Sequence, residues 1–297
     1  MIKKTTHSII SLFIVFALIT TLAWADENTE TGWKNSLIID FTTTQTSYSD
    51  SWTGGEAGSV NWVSNLNGSA QKQLSPKFDF KSALKLSFGQ TLAQNVESED
   101  KPWKKPQKST DLIDWENVGR FTAGWFVDPY VAFRLESQFF DGSVTDHKRW
   151  LSPLKLTESI GLAHKFYEKD KDFITSRFGL AVREIFTNID TINFDTNTVS
   201  TTDGGFESVT DAELTFGDKL KYTGKLSLYK AVAYSKKDEM EDDYWKAIDV
   251  NLENIISASI TKIITVNLYT QLLYDKEISL KGRWKETLAI GFVFKML

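Results

Sequence analysis

Apolar and polar residues alternate along most of this chain with a period of two. From Phe78, the residues Phe78, Phe80, Leu84, Leu86 and Phe88 fall on one side, and Lys77, Asp79, Lys81, Lys85 and Ser87 on the other. Val131, Phe133, Leu135 and Phe139 alternate with Arg134, Glu136 and Gln138. Ile174, Phe178, Leu180, Val182 and Phe186 alternate with Thr175, Arg177 and Arg183, and Leu288, Ile290, Phe292 and Phe294 with Thr287, Ala289, Gly291 and Lys295. A strand sorts such a set onto two faces and a helix does not. The pattern predicts about twelve strands, near 34–45, 58–70, 77–91, 111–127, 130–140, 155–167, 173–187, 206–216, 220–234, 245–260, 263–274 and 284–296. Most are longer than the ~5–6 residues of a soluble sheet strand and reach the ~9–11 that a tilted strand needs to cross a bilayer.

The connections alternate too. Short ones are expected at 71–76, Asp128-Pro129, 169–172, 217–219 and Thr261-Lys262. Longer polar ones are expected at 47–57, 95–110, 141–153, 188–205, 235–243 and 276–283. Tight turns at one end and long loops at the other are the signature of an outer-membrane barrel, with both termini at the short-turn end. The expected fold is all-β, a transmembrane antiparallel up-and-down barrel of about twelve strands. A small soluble barrel would fill its interior with apolar side chains, whereas the polar face here carries Gly161, Ala163, Arg177, Ala181 and Gly224.

The first residues change the picture from a barrel to an exported barrel. Lys3 and Lys4 precede an apolar run from Ile9 to Leu22, and Ala23-Trp24-Ala25 follows as an A-x-A cleavage site. These are the three parts of a secretory signal. Residues 1–25 are expected to be the signal peptide and 26–297 the barrel, cut after Ala25. Cleavage leaves 32 basic against 39 acidic residues, a net charge of −7, which argues against nucleic acid as a partner. The chain has no Cys, so neither disulfides nor thiolate metal sites enter. No cofactor and no metal is expected. The acidic run 236–243 reads as a solvated loop.

Aromatic residues are abundant, with 20 Phe, 10 Trp and 9 Tyr, and many sit near strand ends. Trp125, Tyr130, Tyr167, Trp245, Tyr274 and Trp284 are assigned to an interfacial girdle, where rings meet both apolar chains and water. The last strand, Leu288 to Leu297, resembles the terminal signal read by barrel-assembly machinery, although it ends in Leu297 rather than an aromatic.

The segment Ser51-Trp52-Thr53-Gly54-Gly55-Glu56-Ala57-Gly58-Ser59, followed by Asn65-Leu66-Asn67-Gly68, resembles the domain of unknown function 3078 family. One residue rather than two separates Trp52 from Gly54-Gly55. The resemblance centres on Trp52, Gly54, Gly55 and Glu56 and implies location and shape, with no activity. By itself this loop reads as a tight turn carrying an interface Trp.

The polar face carries the residues capable of chemistry. Lys81, Lys85, Arg134, Glu136, Arg177, Arg183, Asp249 and Glu253 alternate with outward residues and are expected to line the lumen. They either cross-link and plug it or select small polar solutes. About twelve strands enclose a lumen wider than a filled eight-strand barrel and narrower than a general porin, so a narrow or partly plugged channel, or a structural barrel, is expected. Two alternatives belong to other classes. His164, on the outward face, invites a rim-active lipid enzyme, but no Ser-His cluster accompanies it, and no enzyme is expected. The long outer loops invite an adhesin or ligand surface. The expected partners are outer-membrane lipid and lipopolysaccharide, which the basic segment 101–106 would meet, together with the assembly machinery and a small polar solute.

Overall fold

A computed structural model describes residues 32–48, 57–95, 97, 102–122, 124–143, 148–190, 196–239 and 242–295. The signal-like segment and Trp52, Gly54, Gly55 and Glu56 lie outside the described residues, as does His147. The strands are β1 (Lys34–Thr46), β2 (Ser59–Ser75), β3 (Phe78–Ala93), β4 (Gln107–Phe121), β5 (Asp128–Ser137), β6 (Phe140–Asp141), β7 (Arg149–Trp150), β8 (Leu154–Lys169), β9 (Asp172–Asp190), β10 (Thr196–Phe216), β11 (Leu220–Tyr234), β12 (Ile248–Ser259), β13 (Ile264–Tyr274) and β14 (Arg283–Lys295). Twelve of them close an antiparallel barrel in sequence order, β5 pairing with β8, while β6 and β7 form a separate two-residue ladder in the connection between those two. Each strand pairs with its chain neighbour, and β1 meets β14 to seal the ring. That seam carries five registered positions, Ile38–Thr42 against Lys295–Gly291, where β1 and β2 share thirteen.

Both faces follow the alternation. Phe178 is 59% and Leu180 56% exposed on β9, and Leu288 is 69% and Ile290 67% exposed on β14. Ile160, Leu162, Phe206 and Ile256 continue the band around the wall, and Phe178 stacks on Phe206 across β9 and β10 at 6.1 Å. The buried set is the inverse of a soluble protein's: Asp79, Asp114, Arg120, Arg134, Arg177, Arg183, Asp203, Glu207 and Lys225. A continuous apolar exterior around a charged interior is stable only where the exterior meets lipid.

Several expectations of local structure differ from what is observed: β2 runs on through Ser75 into the connection expected at 71–76, and β4 begins at Gln107 and ends at Phe121 rather than spanning 111–127. Asp128 and Pro129, expected as a turn, open β5, and the described bend before them lies at 124–127. Pro129 is tolerated there because a strand's first residues need few ladder donors. The loop expected at 188–205 is mostly strand, because β9 runs 19 residues and β10 runs 21. The stretch Asn197-Thr198-Val199-Ser200-Thr201-Thr202 lacks apolar alternation and so reads as loop, yet its β-branched residues suit a ladder that needs no lipid face. At ~3.3 Å per residue, β9 is roughly 60 Å long, well beyond a tilted crossing of a ~25 Å apolar band. The hairpin therefore projects past its neighbours: β8 pairs with β9 only as far as Phe186. Finally, the start of the strand expected at 245–260 is a 3-10 turn, Tyr244–Lys246.

Candidate functional site

The candidate site is the lumen, built from inward positions of every second residue. At the short-turn end a cavity of about 340 Å³ is lined by Lys34, Gln71, Asp79, Arg120, Lys165 and Glu168, among others. Arg120 lies 3.6 Å from both Asp79 and Asp128, and Gln71 donates to Asp79 at 3.0 Å. At the long-loop end a second cavity of about 160 Å³ is lined by Arg134, Glu136, Lys155, Arg183 and Asp249 with their neighbours.

Between the two lies a layer of ion pairs. Glu116 on β4 accepts from Arg177 of β9 on one carboxylate oxygen and from Lys225 of β11 on the other, the latter at 3.0 Å. β4 and β11 stand five places apart round the ring of twelve strands, so Lys225 spans nearly the full width of the lumen. Arg134 forks Asp114 with bonds of 2.8 and 2.9 Å and reaches Glu136 at 3.2 Å. Lys155 meets the other oxygen of Glu136 at 2.9 Å. Lys85 of β3 reaches Glu253 of β12 at 3.8 Å, a second contact between walls five places apart. Forked guanidinium–carboxylate contacts hold direction as well as charge, so this layer is a braced septum.

Above it, Arg183 pairs with Asp203 at 2.9 Å and with Asp249 at 2.7 Å. Its guanidinium lies 3.6 Å over the Tyr229 ring, and the Tyr229 hydroxyl donates to Asp203. Beyond these, Trp245 turns into the barrel mouth and packs in one cluster with Ala181, Tyr229 and Ala231. The small inward residues on β9 and β11 leave room for the indole.

The sequence-selected residues divide clearly. Lys85, Arg134, Glu136, Arg177, Arg183, Asp249 and Glu253 all join the lumen network just described. Lys81 lies 5.1 Å over the Phe173 ring. Of the girdle set, Trp125, Tyr167 and Trp284 are exposed on the outside, and Tyr274 ends β13 half buried, in register with Val250. Tyr130 and Trp245 are not girdle residues. Tyr130 is 1% exposed, because it shares the parity of Arg134 and points inward, with Arg177 5.8 Å from its ring. Trp245 is 8% exposed, because its turn folds over the mouth instead of continuing the wall.

Glu116, Asp114, Lys225, Asp203 and Tyr229 were not singled out from sequence. Their parity was the available signal: Asp114 and Glu116 alternate with Ile113, Trp115 and Asn117. His164 contacts the Phe126 carbonyl through a ring nitrogen and packs between Phe126 and Phe166, an aromatic cluster with no nucleophile in it. In the acidic loop, Lys236 pairs with Glu239 and Lys246 with Asp243, and residues 240 and 241 lie outside the described residues. On the connecting loop, burial pushes the Asp141 carboxyl up. Hydrogen bonds from Ser143 and the pairing with Arg149 outweigh burial and hold it below the ordinary range.

Residues 43–142 match the model of the family described as protein of unknown function DUF3078. No curated protein sequence matches the chain. Among solved structures, the chain is similar to the translocator domain of autotransporter NalP from Neisseria meningitidis, at 9% identity and a TM-score of 0.38, covering 99% of this chain and 98% of that one. It is similar to the NanC porin at 10% identity and a TM-score of 0.37, covering 88% of this chain and 100% of that one. It is also similar to the CymD monoaromatic hydrocarbon channel at 10% identity and a TM-score of 0.32, covering 90% of this chain and 89% of that one.

Proposed function

We propose that the chain is an outer-membrane barrel, mature from Asp26, that serves as a narrow and normally closed channel for small polar solutes. The observation that carries this reading is the Glu116 carboxylate held from two walls by Arg177 and Lys225. It divides the lumen between two polar cavities that flank it. A purely structural barrel has no use for two polar chambers at either end of a single charged layer. A channel needs both, because solute must be able to enter and leave on each side of a selective constriction.

In this reading the long-loop end faces outward, the apolar band meets outer-membrane lipid, and the exposed Trp125, Tyr167 and Trp284 sit at its edges. Lys104 and Lys105 face lipopolysaccharide head groups, the assembly machinery reads the last strand, and no catalytic step is assigned. The test is purified, heat-modifiable barrel in a planar bilayer. Wild type is expected to conduct rarely and in small discrete steps. Lys225→Met, which removes the brace across the lumen, is expected to conduct more often. Two folded but silent barrels would refute the channel and leave a structural one.

A further inference from the structure

The lumen is not filled evenly. Inward side chains on the wall from β4 to β11 are closed off: Ser159 is 8%, Arg177 7%, Val209 1% and Lys225 8% exposed. Inward positions on β14 and β2 differ. Lys285 and Thr287 are exposed although they alternate with the outward Trp284 and Leu288. Lys285 is in register with Gln271, whose amide donates to Asn251 of the long-loop cavity, so this side of β14 faces the lumen. Asn67 of β2 is exposed in register with Lys85. The Lys85–Glu253 contact between β3 and β12 has the septum strands β4, β9 and β11 on one side of it and β13, β14, β1 and β2 on the other. Both cavities reach this open half: Lys34 and Gln71 line the first, Asn251 and Arg283 the second. Lys285 and Thr287 follow Arg283 along β14, and Asn67 precedes Gln71 along β2.

The open half is basic. Its inward faces bring Lys34, Lys81, Lys85, Arg283 and Lys285. Of its acids, Asp79 is spent on Arg120 and Asp249 on Arg183, both from the septum side. Asp40 accepts from the Asn65 amide at 2.7 Å. Glu253 faces both Lys85 and Lys285, so one carboxylate answers two ammonium groups. Asp275 and Glu277 are acidic at the long-loop mouth but lie beyond the strands, which leaves charge selection to the wall below them. A confined passage lined by an excess of one sign concentrates the opposite sign.

We propose that solute passes along the β14–β1–β2 wall, beside the septum, and that the solutes are small anions bearing carboxylate or phosphate groups. Lys85 and Glu253 constrict this passage, which keeps its conductance small. The proposal rests on the channel reading in taking the lumen as a solute path, and it names the route and the solute class.

The chain has no Cys, so a single introduced thiol reports its own surroundings. Thr287→Cys, Asn67→Cys and Val209→Cys are prepared as full folded barrels in detergent, with heat-modifiability as the check on folding. Each is reacted with an anionic methanethiosulfonate (sulfonatoethyl) and a cationic one (trimethylammonioethyl), and rates are referred to free mercaptoethanol. Thr287→Cys and Asn67→Cys are expected to react about tenfold faster than Val209→Cys, and about threefold faster with the anionic reagent than with the cationic one. Adding Lys285→Gln to Thr287→Cys, or Lys85→Gln to Asn67→Cys, is expected to abolish that preference. Val209→Cys reacting as fast as the other two would overturn the route. No anionic preference, or one that both lysine variants leave unchanged, would overturn the solute class. Labelling does not depend on conductance. A barrel that labels as expected but never conducts sinks only the channel, and one that conducts potassium in preference to chloride sinks only the anion path.

Discussion

Replacing Glu116 by Gln removes one carboxylate and leaves two buried cations, Arg177 and Lys225, facing each other. With Lys225 Nζ 3.0 Å from its oxygen, the direct attraction at an effective dielectric of 20 is about 5 kcal/mol before desolvation. The carboxylate sits between the two nitrogens, so they lie roughly 6 Å apart, and their unscreened repulsion is then about 3 kcal/mol on the same scale. Breaking one member of a buried ion group generally costs about 3–5 kcal/mol, because the survivors stay desolvated. Glu116→Gln should therefore lose about 3–5 kcal/mol in urea unfolding from lipid vesicles, followed by tryptophan fluorescence. The double variant Glu116→Gln with Lys225→Met should recover part of that loss, since it removes the cation most in need of the carboxylate. A single variant within about 1 kcal/mol of wild type would refute a braced septum and show that water already screens these charges. A double variant no better than the single would show that the loss lies elsewhere.

Other perturbations probe the wall and the mouth. Phe178→Lys places an ammonium in the outward apolar band and should cost about 2–4 kcal/mol if that band meets the middle of a bilayer, measured by the same unfolding assay; a neutral result would move the band out of lipid. Gly179→Ala should cost about 1–3 kcal/mol by overpacking, because a Cβ there would lie 2.2 Å from the Ile160 carbonyl and 2.8 Å from the Tyr130 hydroxyl, whereas Gly68→Ala, with 3.7 Å of room, should be nearly silent. Glu277, in the loop between β13 and β14, has its pKa raised by burial and then by the charges of Asp275 and Asp249. The folded loop thus favours the protonated acid, and its stabilisation is present below the ordinary value of 4.5 and lost as pH rises through the raised one. Limited proteolysis of 275–282 should be slower at low pH, and Glu277→Gln should flatten the difference.

The fold was legible because lipid imposes a strict rule on every second residue, and the sets beginning at Val131, Ile174 and Leu288 obey it. Where lipid stops, the rule stops. The Thr196–Thr202 stretch of β10 faces no bilayer in the channel reading and carries no alternation, so its strand character was hidden. Tyr130 shows a different limit. Its neighbours Val131 and Arg134 state its direction, but position near a strand end suggested an interface. Trp245 was hidden because a loop folding over the mouth follows no period at all. The lumen network was half legible: parity assigns Glu116 and Lys225 inward, yet their meeting depends on strands 109 residues apart in sequence, and one sequence does not record which inward charges face each other.

The uneven ladder lengths bear on how the ring is completed. With five registered positions between β1 and β14 against thirteen between β1 and β2, the seam is the shortest ladder of the barrel wall among the described residues. A chain zipping hairpin by hairpin from either end would join these two edges last, once every other strand has a neighbour. The same arithmetic makes the seam the place where the wall parts most cheaply. Amide protons of Ile38–Thr42 should exchange sooner than those at the centre of β9 and β10, and a molecule leaving the lumen sideways into lipid would find its lowest barrier there.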